Sequence, residues 1–273
     1  MKIGVLVNLT DADIKSKFMQ VKEYGFDVCQ LCCWEQSLMT DEIADKVLEC
    51  CERYGVRIST FWCGWSGPAV WDFYEGPLTL GIVPEGYRFI RMKELMHGSD
   101  FAKKLGVKNI ATHVGFLPEN PESERYRAVV SALKTVANHA KDNGQYFIFE
   151  TGQETPVTLR RTIEDMGTGN VGINLDPANL VMYGKANPID ALDVFGEYVR
   201  DVHAKDGCYP TDGRHLGVEK PLGEGVVNFP LFIERLKDMG YDGTLIIERE
   251  ISGEEQIKDI KNAKVYLGGL IQK

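Results

Sequence analysis

The stretch YFIFETGQETPVTLRRTIEDMGTGNVGINLDPAN, residues 146–179, decides how the chain is read. YFIFE (146–150) and VGINLD (171–176) are apolar runs of strand length, a helix begins near Pro156 between them, and both strands end on an acid. Working outward, the same unit recurs. KIGVLV (2–7), DVCQLC (27–32), RISTFW (57–62), KNIATH (108–113), YVRDVHA (198–204) and TLIIE (244–248) bring the strands to eight. Helical stretches separate them, among them DEIADKVLECCERYG (41–55), where Ile43, Leu48 and Cys51 set out an apolar stripe, and SERYRAVVSALKTVANHAKDNG (123–144), which ends at a glycine.

Strands joined through helices pair most readily in parallel, and eight such units in 273 residues predict an α/β fold of the single (β/α)8 TIM-barrel type. The competing doubly wound sheet lacks its phosphate-binding signature, since residues 7–12 after the first strand read VNLTDA rather than GxGxxG. No linker divides the chain, so one domain is expected over 1–273. The longest irregular stretch, the loop after the third strand at about 63–86, is too long for a passive connection.

Charge and composition exclude several functions. Against 31 Lys+Arg stand 40 Asp+Glu, a net charge of -9, which argues against nucleic acid as a partner. No apolar run is long enough to span a bilayer and the N-terminal residues lack a signal segment, so no membrane contact and a cytoplasmic location are expected. Seven cysteines, an odd number with adjacent pairs, fit reduced thiols. Cys29 and Cys32 form a CxxC without a second pair to complete a zinc site and are read as structural.

In a barrel of this type the chemistry gathers at the C-terminal ends of the strands. Four consecutive strands end in metal-ligand residues: Glu150, Asp176, His203 and Glu248. Period-2 alternation puts Ile148 on the face of Glu150 and Ile246 on that of Glu248, and turns Val171, Ile173 and Leu175 toward the helices, away from Asp176. Any one strand-end acid is more simply a helix cap or an ion-pair partner. Four together, with three carboxylates that repel one another unless a cation or a proton intervenes, predict a site for one divalent cation. The hard oxygen-rich donor set favours Mn2+, with Mg2+, Co2+ or Zn2+ as alternatives.

The combination of Glu150, Asp176 in LDPAN, His203 in VHAKD and Glu248 in IIERE resembles the xylose-isomerase-like barrel superfamily, in particular the sugar isomerases and epimerases related to tagatose 3-epimerase. The resemblance spans essentially the whole chain. It implies that the four residues bind one divalent cation and that Glu150 and Glu248 double as the proton-transfer pair. The implied activity is isomerisation or epimerisation of a ketose or related small-molecule sugar through an enediolate. A keto-sugar or keto-inositol dehydratase or lyase on the same scaffold is the alternative. An AP-endonuclease-like phosphodiesterase is remote, because it needs further histidines and a basic surface.

Other positions are candidates for holding the substrate. His113, ending the fourth strand, is a substrate-facing candidate, and Lys205, Glu154 and Arg214 are candidates for binding substrate oxygens. Trp34 and Trp62, at the ends of the second and third strands, offer faces for a sugar, under a lid formed by the 63–86 loop. Asn179 departs from the family pattern, which usually carries a histidine three residues after the aspartate; asparagine hydrogen-bonds but does not exchange a proton near neutral pH. GEG at 223–225 reads as a turn, with a phosphate-binding nest as the weaker alternative. The oligomeric state stays open; the resemblance implies that a homo-oligomer, where one forms, pairs through the aromatic end of the barrel.

Overall fold

The eight apolar runs pair side by side, all parallel, and the first closes on the last. The computed structural model describes residues 1–272. The barrel strands are β1 (Lys2–Asn8), β2 (Val28–Cys33), β3 (Arg57–Cys63), β4 (Asn109–Thr112), β5 (Tyr146–Glu150), β6 (Val171–Leu175) and β7 (Val199–Ala204). A two-stranded ribbon of β8 (Asp206–Gly207) with β9 (Glu219–Lys220) comes next in the chain, and β10 (Thr244–Ile247) completes the barrel. Closure sets Lys2 opposite Thr244 and Val5 opposite Ile247. Each strand lies within a residue or two of its expected position. The ribbon is an addition to the expected elements, because a two-residue strand carries no periodicity.

Alternation divides the strand side chains between two cores. Phe147, Phe149, Val171, Ile173, Leu175 and Val202 face the helices in the main apolar core. Cys32, Trp62, Ala111 and Ile148 form a smaller cluster inside the barrel. Two register shifts set which residues turn inward. Between Ile173 and Asn174 of β6 the pairing with β7 passes over Arg200, and between Cys29 and Gln30 of β2 the pairing with β3 passes over Ser59. One extra residue flips the rest of the strand to the other face, so Val199 packs outward while Asp201 and His203 do not.

The helices sit where the sequence places them. Residues Asp41–Tyr54 form a helix capped at its start by the Thr40 hydroxyl and ended by Gly55 at φ 62. The helix buries Ile43, Ala44, Val47 and Cys50, so the stripe expected through Leu48 is displaced; Leu48 lies outside it and is exposed. All seven cysteines are free thiols, and Cys29 and Cys32, three apart on one strand, fall in different cores.

The 63–86 stretch is held as a folded strap. Arg91, fully buried on the helix Glu85–Lys104, donates to the carbonyls of Ser66 (3.2 Å), Pro68 (3.0 Å), Thr79 (2.6 Å) and Gly81 (2.6 Å). Its guanidinium lies 4.6 Å from the Tyr87 ring centre and 5.3 Å from that of Trp65. A single planar cation thus organises carbonyls that a loop of this length leaves without ladder partners. Arg91→Met is expected to cost on the order of 3 kcal/mol, because it removes charged hydrogen bonds and strands their buried acceptors. Urea unfolding checks the loss, and limited proteolysis is expected to cut first between residues 63 and 86.

Candidate metal centre and active site

Glu150 closes β5, Asp176 and Glu248 directly succeed β6 and β10, and His203 lies in β7; because these four strands are consecutive around the barrel, their ends share one half of its mouth. One ligand atom from each of the four lies within 4.8 Å of the others. His203 Nδ1 is 2.9 Å from Glu248 Oε2, 3.3 Å from Glu150 Oε1 and 3.5 Å from Asp176 Oδ2. Glu150, Asp176 and His203 are buried, and Glu248 is nearly so.

Each of the four side chains is aimed by its own local device. Asp176 caps the short helix Pro177–Met182: its Oδ1 accepts from the Asn179 N–H at 2.8 Å, which leaves Oδ2 buried and without a hydrogen-bond partner. The helix cap expected of a strand-end acid is thus present, and it leaves the second oxygen free for another partner. Glu150 is fixed by donors. Trp62 Nε1 donates to Oε2, while Asn179 Nδ2 (3.2 Å) and His113 Nε2 (3.3 Å) approach Oε1. Glu248 takes a hydrogen bond from Lys205 at 3.3 Å, and that ammonium also reaches Glu250 at 2.8 Å and Asp176 at 3.7 Å.

The electrostatics are those of a site that holds positive charge. Burial alone would raise Glu150, but the neighbouring His113 and His203 outweigh it and hold the carboxyl well below its usual range. Burial would likewise raise Glu248, and Lys205 with His203 reverses the sign. His203 goes the other way: burial would lower it, yet Glu248 and Glu150 push it well above the ordinary imidazole value. Asp176 is raised by burial. The two buried atoms with no hydrogen-bond partner within the tetrad are Asp176 Oδ2 and His203 Nδ1, both turned to the centre. Three carboxylates and an imidazole with inward atoms unsatisfied fit one hard divalent cation.

A cavity of about 510 Å³ opens above the tetrad. Its walls include Trp34, Trp62, Trp71, His113, Asn179 and Lys205 as well as Glu150 and Glu248. Trp34 stands 4.9 Å from Trp62 and Trp71 stands 5.1 Å from His113, ring centre to ring centre, so the aromatic residues line one side. The 63–86 strap reaches over the mouth and meets the 208–218 loop, with Phe73 N–H donating to the Arg214 carbonyl at 3.0 Å. Arg214 itself is exposed, packs its guanidinium 5.1 Å from the Tyr74 ring and does not line the cavity. Glu154 is buried beneath the mouth, outside the cavity lining. GEG is a turn whose N–H groups are already taken: Asp206 accepts from Gly223 (3.0 Å), Gly225 (3.1 Å) and Val227 (3.1 Å), leaving no nest for a phosphate.

The polar layer beneath the tetrad lies outside the set of residues that strand ends alone predict. Gln30, Thr60, Asn174, Asp201 and Thr244 are all buried, where related bores are filled mainly by branched apolar side chains. A signal for it is present, since Asn174 and Asp201 lie two residues before Asp176 and His203 on the same faces and Gln30 interrupts an apolar strand.

A closed parallel barrel with a convergent carboxylate–imidazole cluster at its C-terminal mouth defines a TIM-barrel protein with a candidate metal centre. Residues 18–265 match the xylose isomerase-like TIM barrel family, and the chain belongs to it. The fold superposes on a xylose isomerase domain protein from Planctomyces limnophilus with a TM-score of 0.93 at 34% identity, over 98% of this chain and 96% of that one. A D-tagatose 3-epimerase-like protein superposes with a TM-score of 0.76 at 23% identity, over 100% of this chain and 97% of the other. An inosose dehydratase of Lacticaseibacillus casei is 23% identical over 146 residues, 46% of this chain and 48% of that protein. No helix among the described residues is long and apolar enough to cross a membrane.

Glu154 gives the site a pH signature. Neither of its oxygens meets a partner in good hydrogen-bonding geometry, and burial raises its carboxyl to about 7 from 4.5. The folded chain therefore keeps this proton where the unfolded chain has lost it. Stability is fully present below about pH 4.5 and falls as pH rises toward 7, by on the order of 3 kcal/mol in all. Glu154→Gln is expected to remove that fall. Urea midpoints of the two proteins at pH 5 and pH 8, in chelator, check it: the difference between them is expected to widen in favour of the variant at pH 8.

Proposed function

We propose that the protein is a divalent-metal-dependent isomerase or epimerase of a ketose or related sugar, acting by proton abstraction and return. The observation that carries the reading is the tetrad, in which two glutamates flank an aspartate and a histidine around one point, below a cavity with an aromatic wall. A divalent cation held by Glu150, Asp176, His203 and Glu248, Mn2+ by the hardness of the donors, would polarise the substrate carbonyl and acidify the adjacent C–H.

The chain's own residues do the rest. Trp62, Asn179 and His113 occupy Glu150 with donors, which keeps it ionised and fixes its direction. Glu248, less enclosed and paired with Lys205, is placed to take the proton from the substrate carbon, and Glu150, on the other side of the tetrad, to pass one back that it takes from His113, the one of its three donors that can give up a proton. Return to the same carbon on the opposite face gives an epimer, and return to the neighbouring carbon gives an aldose–ketose isomer. Trp34, Trp62 and Trp71 offer the C–H face of a sugar a flat surface and help exclude water.

A second reading, dehydration of a keto-sugar or keto-inositol, draws on Lys205. Its buried ammonium lies 3.3 Å from Glu248, where it can protonate a departing hydroxyl after the same abstraction. Incubation with a panel of free ketoses in D2O, with NMR of the products, separates the two. Metal-dependent deuterium at carbon without loss of water is the expected result, and elimination products establish the dehydratase.

Glu248→Gln is expected to lower the exchange rate by about 10²- to 10⁴-fold with the fold retained, as for loss of a general base. Full exchange by this variant would remove Glu248 from the role. Stripping the cation with chelator is expected to stop exchange and to lower the melting temperature, and re-addition of Mn2+ to restore both.

A further inference from the structure

His203 has two ring nitrogens and only one of them faces the tetrad. Nδ1 stands among the three carboxylates, while Nε2 points down into the polar layer, 2.7 Å from Gln30 Oε1 and 3.0 Å from Asn174 Nδ2. These two neighbours ask opposite things of the ring. A carbonyl oxygen accepts, so Gln30 wants a proton on Nε2; an amide nitrogen donates, so Asn174 wants a lone pair there. If Asn174 prevailed, the neutral ring would carry its proton on Nδ1, aimed at the carboxylates and in the place of a cation.

The orientation of Gln30 decides between them, and Asp201 fixes that orientation. Gln30 Nε2 lies 3.4 Å from both Asp201 Oδ2 and Asn174 Oδ1, two acceptors, so the amide cannot turn its oxygen downward without facing a carboxylate. Asp201 is itself held by the hydroxyls of Ser59 (3.0 Å), Thr60 (2.6 Å) and Thr244 and by the Val202 N–H (3.0 Å). Both register shifts of the barrel feed this cluster: one brings Ser59 and Thr60 together on Asp201, and the other turns Asp201 inward. Gln30 and Asp201 are fully buried and touch neither the cavity nor any tetrad carboxylate, so their polarity needs another purpose.

We propose that Gln30, locked from behind by Asp201, is a positioning residue that keeps the proton of His203 on Nε2 and so presents Nδ1 as a lone pair to the cation. The inference rests on the reading of His203 as a cation ligand. It makes the bore of the barrel part of the metal site, through a donor–acceptor chain that runs from three hydroxyls through a carboxylate and an amide to an imidazole.

Isothermal titration of the metal-free protein with MnCl2 tests this. Gln30→Met is expected to weaken Mn2+ binding by about 10- to 100-fold, with a lowered melting temperature in chelator but the fold retained at the temperature of the titration. Adding Asn174→Asp to that variant supplies an acceptor at the same nitrogen and is expected to recover most of the affinity. Wild-type affinity in Gln30→Met, or no recovery in the double variant, overturns the proposal. Should Gln30→Met not fold, 15N-labelled wild-type protein loaded with Mg2+ decides alone: a His203 ring protonated at Nε2 supports the assignment and one protonated at Nδ1 overturns it. Failure of the wild-type protein to bind Mn2+ would overturn the metal-dependent function as well, whereas normal wild-type binding with an insensitive Gln30 variant overturns only the role of Gln30.

Discussion

Like charge is the constraint that shapes this barrel. Glu150, Asp176 and Glu248 bring ligand oxygens within 4.8 Å of one another in a setting almost closed to water, an arrangement that raises the energy of all three unless positive charge lies among them. The protein meets part of that demand itself. Lys205 is buried against the carboxylates and is pushed to higher pKa by them, against the effect of burial. The demand left unmet is directional: Asp176 Oδ2 and His203 Nδ1 have no hydrogen-bond partner, so the remaining attraction points to one place.

The same constraint explains why the bore is polar. In the proposed role of His203 as a cation ligand, its lone pair faces the tetrad and its other nitrogen has to be tied down, which an apolar bore of branched side chains would not do. Gln30, Asn174 and Asp201 therefore stand where such side chains ordinarily fill a barrel, and they are hydrogen-bonded. Apolar packing is restored on the other side of the sheet, where Phe147, Phe149, Ile173 and Leu175 meet the helices. Stability and polarity are thus assigned to opposite faces of the same strands.

Much of this is legible in the sequence because alternation is a local property. Ile148 and Glu150, or Val171 and Ile173, declare their faces from neighbours two residues away, and the four ligands end four strands. The polar layer is harder to read because its meaning depends on closure. Gln30 lies on β2, far along the chain from His203, and only the closed barrel brings them to 2.7 Å. The register shifts over Ser59 and Arg200 are likewise invisible to a period-2 count. Leu48 departs from its expected face because three positions are too few to phase a helical stripe, and Arg214 sits in an irregular loop where no periodicity says which way a side chain turns.

Asn179 shows how one departure redistributes the chemistry. Where the family pattern carries a histidine, this chain sets an amide that donates to Glu150 Oε1 and does not titrate near neutral pH. Around Glu150, Trp62 and Asn179 hold their protons permanently, which leaves His113 as the one of its three donors outside the tetrad able to change its charge. Glu150 is consequently held in a fixed direction, and His113 is the neighbour from which it can take a proton. Glu248 has no such enclosure; its partners are the ammonium of Lys205 and the imidazole of His203. Under the proposed mechanism a proton moves on both sides of the tetrad, from carbon to Glu248 beside Lys205 and back to carbon through Glu150 beside His113.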